Sequence, residues 1–398
     1  MPRAIVTGMG VVSALGRDCR ENLESLQNGE SGIRKPLFLQ SRFSSTHLFG
    51  EVKTSDAEFK ERLGLSSDIG FSRTDLMALH AFEEAVTQAG LSQADLSSPD
   101  TAFISASTVG GMCLTDQLYA DSNLLGEGSS FVKAYSFGAH TLSIALLKNI
   151  KGYSTTINTA CSSSANSIML GARLIKAGKI KRAIVGGTDA LAKFTINGFN
   201  SLQILSADSC KPFDEFRTGL SLGEAAAYLV LESDACCRGK KGLAEVLGYG
   251  NANDAHHPSA LSDEAVGVVA AISGALHTSG VLPEQISYIN AHGTATPNND
   301  ITELKGIQKS LGFIPPYSST KSYTGHTLGA AGSLEAVFSI FSLLQNEIYP
   351  NLNCETPMKA FSERPERKLR RDIPIRFVLS NSFGFAGNCT SLILGKAS

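Results

Sequence analysis

The chain has 398 residues, 42% of them hydrophobic and 18% charged, with 38 glycines and a net charge of −2. This balance permits a large buried core, excludes the basic field that a nucleic-acid or anionic-membrane binder needs, and leaves a lightly charged surface suited to burial against a second subunit. The eight cysteines form no C-x-x-C pair, which excludes a zinc ribbon or disulfide framework and fits a reducing cytoplasmic setting. No run reaches the roughly 18 apolar residues of a membrane span, and the glycine-broken opening segment is too short for a signal-peptide core.

In chain order, Ala4-Ile5-Val6-Thr7 reads as a first buried strand followed by a glycine turn at Gly8-Met9-Gly10. The G-x-G-x-x-S pattern falls short of the dinucleotide fingerprint. More β-type residues follow it directly, and no ribose-binding acid ends a second strand. A helix starts at Asp18 and stops by Gly29, and residues 34–70 read as loop and insertion. Leu76, Leu79, Phe82 and Val86 set a helix over Asp75–Gln88 that stops at Gly90. A strand over Thr101–Ser107 closes at Gly110-Gly111, and a further helix covers Ser143–Ile150.

The run Asn158-Thr159-Ala160-Cys161-Ser162-Ser163 lies between the short strand Ser154–Ile157 and a helix that continues through Ile175. A cysteine at the start of a helix meets unpaired N–H groups and the positive end of the dipole, so its pKa is expected to fall from about 8.5. The alternative is a small buried hydrophobe. A strand at Ala183-Ile184-Val185, a helix over Phe194–Leu205 and a strand buried on both faces at Ala225–Glu232 follow. Gly219-Leu220-Ser221-Leu222-Gly223 satisfies G-x-S-x-G, but it follows a polar loop and opens a strand, so Ser221 is rejected as a nucleophile.

The second half repeats the plan. A helix over Val266–Thr278 ends at Gly280 as the earlier one ends at Gly90, and the strand Gln285–Ala291 follows Pro283 as Thr101–Ser107 follows Pro99. The strand Tyr317–Thr320 then leads through a glycine-rich turn into a helix over Leu328–Leu344. This predicts an α/β fold of two similar βα halves, residues 1–240 and 241–398, in a layered body. A pseudo-twofold between them would bring the Cys161 turn against the turns holding His292 and His326. Each of those histidines sits on a glycine-threonine turn, and Lys321 precedes His326 by five residues. Ser380–Asn388, after a strand at Ile375–Leu379, is glycine-rich and offers the backbone N–H donors of an oxyanion hole.

Taken together, four ordered motifs resemble the β-ketoacyl-acyl-carrier-protein synthases, closest to the synthase I/II branch of the thiolase superfamily. They are Thr159-Ala160-Cys161-Ser162-Ser163, His292-Gly293-Thr294-x-Thr296 with Asp300, Lys321-x4-His326 before Gly329-Ala330-Ala331-Gly332, and Asn381-Ser382-Phe383-Gly384-Phe385. The resemblance spans essentially the whole chain. It implies a thiolase fold in αβαβα layers, a homodimer, no cofactor or metal, and acyl carrier protein as the partner. It also implies that Cys161 takes an acyl group, that His292 and His326 stabilise the enolate formed from a malonyl thioester, and that the product is a β-ketoacyl thioester. By the same analogy Lys321 and Glu335 orient His326, Asp300 is a support, and Thr294 and Thr296 bind pantetheine. The N–H groups of Cys161 and Phe385 hold the oxyanion. Phe385 gates an acyl pocket lined by Phe199 and Val109.

The chain departs from the family pattern at Gly384-Phe385-Ala386-Gly387-Asn388-Cys389, usually Gly-Phe-Gly-Gly-Thr-Asn, and at Arg217-Thr218-Gly219-Leu220, usually Arg-Asp-Gly-Phe. An acidic carrier calls for a basic entrance, for which Arg73, the Arg173-Lys176-Lys179-Lys181-Arg182 group and Arg364–Arg371 are candidates. Two other readings are a non-condensing partner subunit resembling a chain-length factor and a thiolase-type CoA acyltransferase. Acyl length and pathway are not encoded in any of these motifs.

Overall fold

The computed structural model of the chain describes residues 2–67, 69–124, 128–237 and 239–397. Among these, ten strands form the framework: β1 (Ala4–Val12), β2 (Thr101–Ala106), β3 (Ser154–Ile157), β4 (Arg182–Asp189), β5 (Ala225–Ser233), β6 (Ala244–Asn253), β7 (Tyr288–Asn290), β8 (Tyr317–Ser318), β9 (Phe377–Phe383) and β10 (Asn388–Gly395). Their order is β3-β2-β4-β5-β1-β6-β10-β9-β7-β8. Read outward from the centre, the two halves use equivalent strands in the same sequence. The strand directions repeat as well: β5 runs antiparallel to β1 and β4, and β10 antiparallel to β6 and β9, while the outer strands of each half pair in parallel.

The duplication extends to single hydrogen bonds. β1 and β6 pair only at Ile5–Glu245 and Val6–Ala244, after which they separate. The backbone donors left open must find other partners. Gln88 accepts from the Met9 N–H at 2.7 Å, and Thr278, on the equivalent helix of the second half, accepts from the Tyr249 N–H at 2.9 Å.

Gly8 and Gly10 therefore make no turn; they lie inside the single strand β1. A Cβ at Gly10 would stand 2.1 Å from the Ala81 carbonyl oxygen, and one at Gly250 in β6 would stand 2.0 Å from that of Ala271. The glycine-x-glycine pattern seats a helix directly on the first strand of each half, Arg73–Gln88 on one and Val266–Ser279 on the other.

Three apolar cores set the layers. Val6, Val185, Leu231 and Leu392 pack with Ile168, Val337 and Ile340 around the central helices Ser163–Lys176 and Ala331–Gln345. The other face of the first half packs against Arg73–Gln88 through Phe82, Phe103 and Tyr228. The other face of the second half packs against Val266–Ser279 and Pro297–Leu311 through Ile272, Leu304 and Ile393. Because both halves of the sheet cover the same central helices, the order is αβαβα, the thiolase arrangement that the family resemblance implies. The stretch Leu328–Gln345 has the length and mean hydropathy of a membrane span, yet it is 89% buried inside the protein and is the axis of this core.

Several boundaries differ from the sequence reading. β9 continues to Phe383, so Asn381 and Ser382 are strand residues and only Gly384–Gly387 turns. The Phe194–Leu205 helix is Lys193–Ser201. β6 and the helix Pro297–Leu311, which opens with Thr296 as its N-cap and proline in its first turn, have no counterpart in the sequence reading.

Candidate active site

Cys161 precedes the helix Ser163–Lys176, whose N-cap Ser162 makes no side-chain cap bond. The serines and Ala165 keep this helix thin enough to meet its central neighbour. A Cβ at Gly332 would lie 2.6 Å from the Ala165 nitrogen, and the Ser333 N–H donates to Ser164 Oγ at 2.8 Å. This close crossing carries the cysteine turn from the first half to the histidine turns of the second.

His292 is held by its backbone. Its N–H and that of Gly293 each donate to the Glu303 carboxylate at 2.8 Å, and Asn381 Nδ2 donates to the same carboxylate at 3.2 Å. Burial nevertheless dominates these three donors and pushes the Glu303 carboxyl up to about 7. Lys321 forms a buried ion pair with Glu335, and Lys321 Nζ lies 3.2 Å from His292 Nδ1. An ammonium has only protons to offer, so His292 Nδ1 accepts and Nε2 carries the ring proton. The Leu328 N–H donates to His326 Nδ1 at 3.3 Å, which assigns the same tautomer there. His326 Nε2 is buried with no partner among the described residues.

The lysine pair thus supports His292, not His326 as the family analogy has it; His326 is fixed by the backbone of its own turn. The His326 N–H also donates to the Ser221 carbonyl at 2.7 Å, and Ser221 Oγ accepts from the Cys210 N–H at 3.1 Å. Ser221 is therefore a buried scaffold for His326. The two imidazoles stand edge to face with centroids 5.4 Å apart. Burial first, then the charge of Lys321, holds both well below the usual histidine pKa. Both rings are neutral at physiological pH and present Nε2–H donors.

The cysteine does not follow its helix. Burial pushes the Cys161 thiol up to about 11, against the backbone N–H groups of Phe385 and Cys161 and the charge of Lys321, all of which favour the thiolate. The expectation of a lowered pKa is corrected: removing the sulfur from water outweighs the two backbone N–H groups and the Lys321 charge. As an expected result, the rate of Cys161 alkylation by iodoacetamide rises about tenfold per pH unit across roughly pH 6 to 9 without a plateau. A plateau below pH 8 in that profile would contradict the buried-thiol assignment.

Cys161, His292, His326, Thr294, Thr296, Phe199 and Phe385 line one cavity of about 300 Å³. Thr294 and Thr296 join their hydroxyls at 2.9 Å. Asp300 secures their turn, accepting from the Ala295 N–H at 3.2 Å and the Phe213 N–H at 2.8 Å. Phe385 stacks on Phe199 with ring centroids 5.6 Å apart. Val109 is not on the cavity wall. It packs behind Phe199 with Leu191, Ile196 and Leu220, while its N–H and the Gly329 N–H both donate to the buried Asp189, at 3.1 and 2.7 Å. Asp189 thereby ties the Val109 loop to the turn after His326.

Four non-glycine residues in left-handed backbone lie on the four loops of this site: Ala160 (φ 54°), Ala295 (φ 65°), Leu328 (φ 53°) and Ala386 (φ 61°). Each strains the chain by roughly 1–2 kcal/mol and is tolerated where surrounding structure over-determines it.

The basic candidates do not form an entrance. The Arg73 guanidinium is turned inward onto Glu224 and Asp56. Arg173 to Arg182 lie at and beyond the far end of the helix that begins behind Cys161, about 20 Å away by helix rise, and Arg182 is paired with Glu232 and Asp95. Arg364, Arg367, Arg370 and Arg371 bond carbonyls and carboxylates of their own region and Glu347, away from the cavity wall. Arg217 donates to the carbonyls of two cavity-lining residues, Thr296 and Pro297, at 3.3 and 2.9 Å.

Residues 1–235 match the family described as Beta-ketoacyl synthase, N-terminal domain, and residues 243–355 match Beta-ketoacyl synthase, C-terminal domain. The chain belongs to the β-ketoacyl synthase family. As a member it is an acyl-transferring condensing enzyme. This β-ketoacyl synthase is 32% identical over 410 residues to 3-oxoacyl-[acyl-carrier-protein] synthase 2 of Staphylococcus aureus (strain N315), covering 99% of the chain and 98% of that relative. It is also 32% identical over 413 residues to the protein of the same name from Synechocystis sp., with 99% and 98% covered. Among solved structures, it is similar to the ishigamide ketosynthase/chain length factor, with a TM-score of 0.92 and 31% identity over all of both chains. It is likewise similar to the ketosynthase ApeO in complex with its chain length factor ApeC from Xenorhabdus doucetiae, with a TM-score of 0.86 and 31% identity over 100% of this chain and 98% of that one.

Proposed function

We propose that this β-ketoacyl synthase extends an acyl chain through Cys161, using His292 and His326 as paired neutral donors. The observation that carries the reading is that both imidazoles are locked as Nε2–H donors beside the cysteine in one cavity. The Cys161 sulfur attacks an acyl thioester on phosphopantetheine, the thioester C–S bond breaks, and the thiol proton ends on the released pantetheine thiol. The N–H groups of Cys161 and Phe385 stabilise the tetrahedral oxyanion. A malonyl thioester then enters, with Thr294 and Thr296 binding its pantetheine arm.

Loss of CO₂ leaves electrons on the thioester enolate, whose oxygen accepts from the two Nε2–H groups. The enolate carbon attacks the acyl carbonyl, expelling the Cys161 thiolate, which regains a proton from solvent. Neutral imidazoles suit this step, because an imidazolium in so buried a place would cost several kcal/mol to maintain. Lys321 and Glu335 position His292, and Asp300 positions the threonine turn. Phe385 and Phe199 close the acyl path, with Val109 shaping the apolar wall behind them.

Acyl carrier protein is the proposed donor and acceptor, as the names of the curated relatives suggest. A second ketosynthase-like chain is the proposed partner, in a homodimer. β3 and β8 are the edge strands of the sheet, and Leu142 and Leu146 on the helix Ala139–Leu147 that adjoins β3 are 63% and 73% exposed. Bare sheet edges and clustered apolar groups of this kind mark protein contacts. The structural likeness to ketosynthases paired with a chain length factor keeps a heterodimer as the second reading. Eight free cysteines favour a cytoplasmic location, and we take 1–240 and 241–398 as the two halves.

The test is intact-protein mass spectrometry of the purified chain given an acyl-acyl carrier protein, followed by malonyl-acyl carrier protein and analysis of the product. An acyl adduct on Cys161 that is consumed to β-ketoacyl carrier protein supports the proposal. Transfer from acyl-CoA in preference to the carrier protein would favour a thiolase-type activity. Acylation only after addition of a second chain would favour the heterodimer.

A further inference from the structure

Asn388 stands where the family pattern has threonine, and its side chain gathers a polar cluster that none of the roles above uses. Its Oδ1 lies 2.8 Å from Ser162 Oγ, 3.0 Å from Asn166 Nδ2, 2.8 Å from Asn251 Nδ2 and 3.4 Å from Thr390 Oγ1, and it shares the single Ser162 hydroxyl proton with the Thr159 carbonyl, also 2.8 Å from that hydroxyl oxygen. Ser162 follows the nucleophile directly, and Asn166 donates to Thr159 Oγ1 at 2.8 Å on the other side of the same turn. Thr390 completes the cluster by donating to Asn166 Oδ1 at 2.9 Å. Ser162 and Thr390 are fully buried and Asn166 nearly so.

The same asparagine ends the short 3₁₀ turn Phe385–Gly387, and its carbonyl accepts from the Gly384 N–H at 2.7 Å. One side-chain carbonyl therefore joins the residue after Cys161 to the loop that carries Phe385. The two loops already touch, since a Cβ at Gly384 would lie 2.7 Å from the Thr159 carbonyl oxygen and 3.2 Å from the Cys161 nitrogen. A threonine hydroxyl, shorter and carrying a proton of its own, cannot gather three donors in this way.

We propose that Asn388 is the positioning residue that fixes the separation between the Cys161 and Phe385 N–H groups, and so the span of the oxyanion hole; this rests on the ketosynthase reading above. Oxyanion donors act only when held near 2.7–3.1 Å from the developing charge. Without the Asn388 carbonyl the Ser162 hydroxyl and two amides lose their shared acceptor. The turn at Ala386, left-handed at φ 61°, then has no side-chain tie to the cysteine turn.

The test compares two reactions of the same sulfur. Alkylation by iodoacetamide needs the Cys161 sulfur but forms no oxyanion, whereas acyl transfer from an acyl-carrier thioester needs both. In the 398-residue chain, Asn388→Ala is expected to slow single-turnover acylation by about 10²-fold, the loss typical of one oxyanion donor, and to slow alkylation at least tenfold less. Ser162→Ala, which removes one hydroxyl and keeps the test available if Asn388→Ala does not fold, is expected to lose about tenfold in acylation. The double variant should lose less than the product of the two single losses, because both changes break the Ser162–Asn388 contact, while Ser162→Ala also removes the hydroxyl from the Thr159 carbonyl 2.8 Å away. Equal losses in the two reactions, faster alkylation from a loosened turn, or additive losses in the double variant would overturn the proposal. Wild-type protein that never takes an acyl group would instead sink the ketosynthase reading. An acylated wild type with an unaffected Asn388→Ala sinks this inference alone.

Discussion

Cys161→Ala leaves no acyl adduct after incubation with an acyl-acyl carrier protein and lowers condensation by roughly 10³-fold or more, since no second thiol can take over the covalent step. Among the eight free cysteines, only Cys161 opens onto the cavity with both histidines. Cys210, Cys354 and Cys389 are buried elsewhere in the core. The fold should not suffer: removing one sulfur from a residue already 5% exposed costs about the 1–2 kcal/mol of a small lost packing contact. Intact mass measured before and after acyl transfer, together with a melting curve, checks both halves of the expectation. An adduct of acyl mass on the alanine variant would remove Cys161 from the mechanism.

Lys321→Ala is the largest expected loss of stability, about 3–5 kcal/mol, because it strands the Glu335 carboxylate in a dry interior. The side chains of Lys321 and Glu335 are 2% and 3% exposed, so water cannot replace the missing partner. The sign of the pH dependence follows from Glu335. Burial raises its pKa from 4.5 to about 7 even with the lysine beside it, and without that charge it rises further. A carboxyl raised in the folded state contributes stability that is present below about 4.5 and lost as pH rises through the folded value. The deficit of Lys321→Ala relative to wild type therefore widens from pH 5 to pH 8 in urea titrations. Adding Glu335→Gln should recover much of it and flatten the pH dependence. A pH-independent deficit would show that packing of the lysine stem, not the stranded charge, sets the loss. The same variant frees His292 Nδ1 from its 3.2 Å donor, so the decarboxylation step should slow in both the single and the double variant.

The motif residues were legible because each is a short, local statement. A cysteine among small residues after a strand, two glycine-threonine turns bearing histidines, and a phenylalanine-glycine loop each announce chemistry within about ten positions. The repeat was legible too, since Gly90, just after the cap of its helix, and Gly280, the cap of the equivalent one, are both left-handed, at φ 62° and 67°. Glu303 escaped notice because it lies on a helix with a mixed polar pattern, and its task of holding two backbone N–H groups is invisible without the fold. In the sequence Asn388 is only a departure from the family pattern, since Ser162, Asn166 and Asn251 reach it from more than a hundred residues away.

By itself, the sequence determined an α/β pattern of repeated strands and helices and the four motifs whose resemblance to the β-ketoacyl synthases implies the roles of the cysteine and histidines, because periodicity and motif spacing are local properties of a chain. Only the tertiary structure decided their chemical state. Burial is set by what folds over a residue, and at Cys161 it outweighed the backbone N–H groups and the Lys321 charge. Which neighbour reaches which ring nitrogen is likewise a contact between distant segments, and it gave Lys321 to His292 and the backbone of Leu328 to His326.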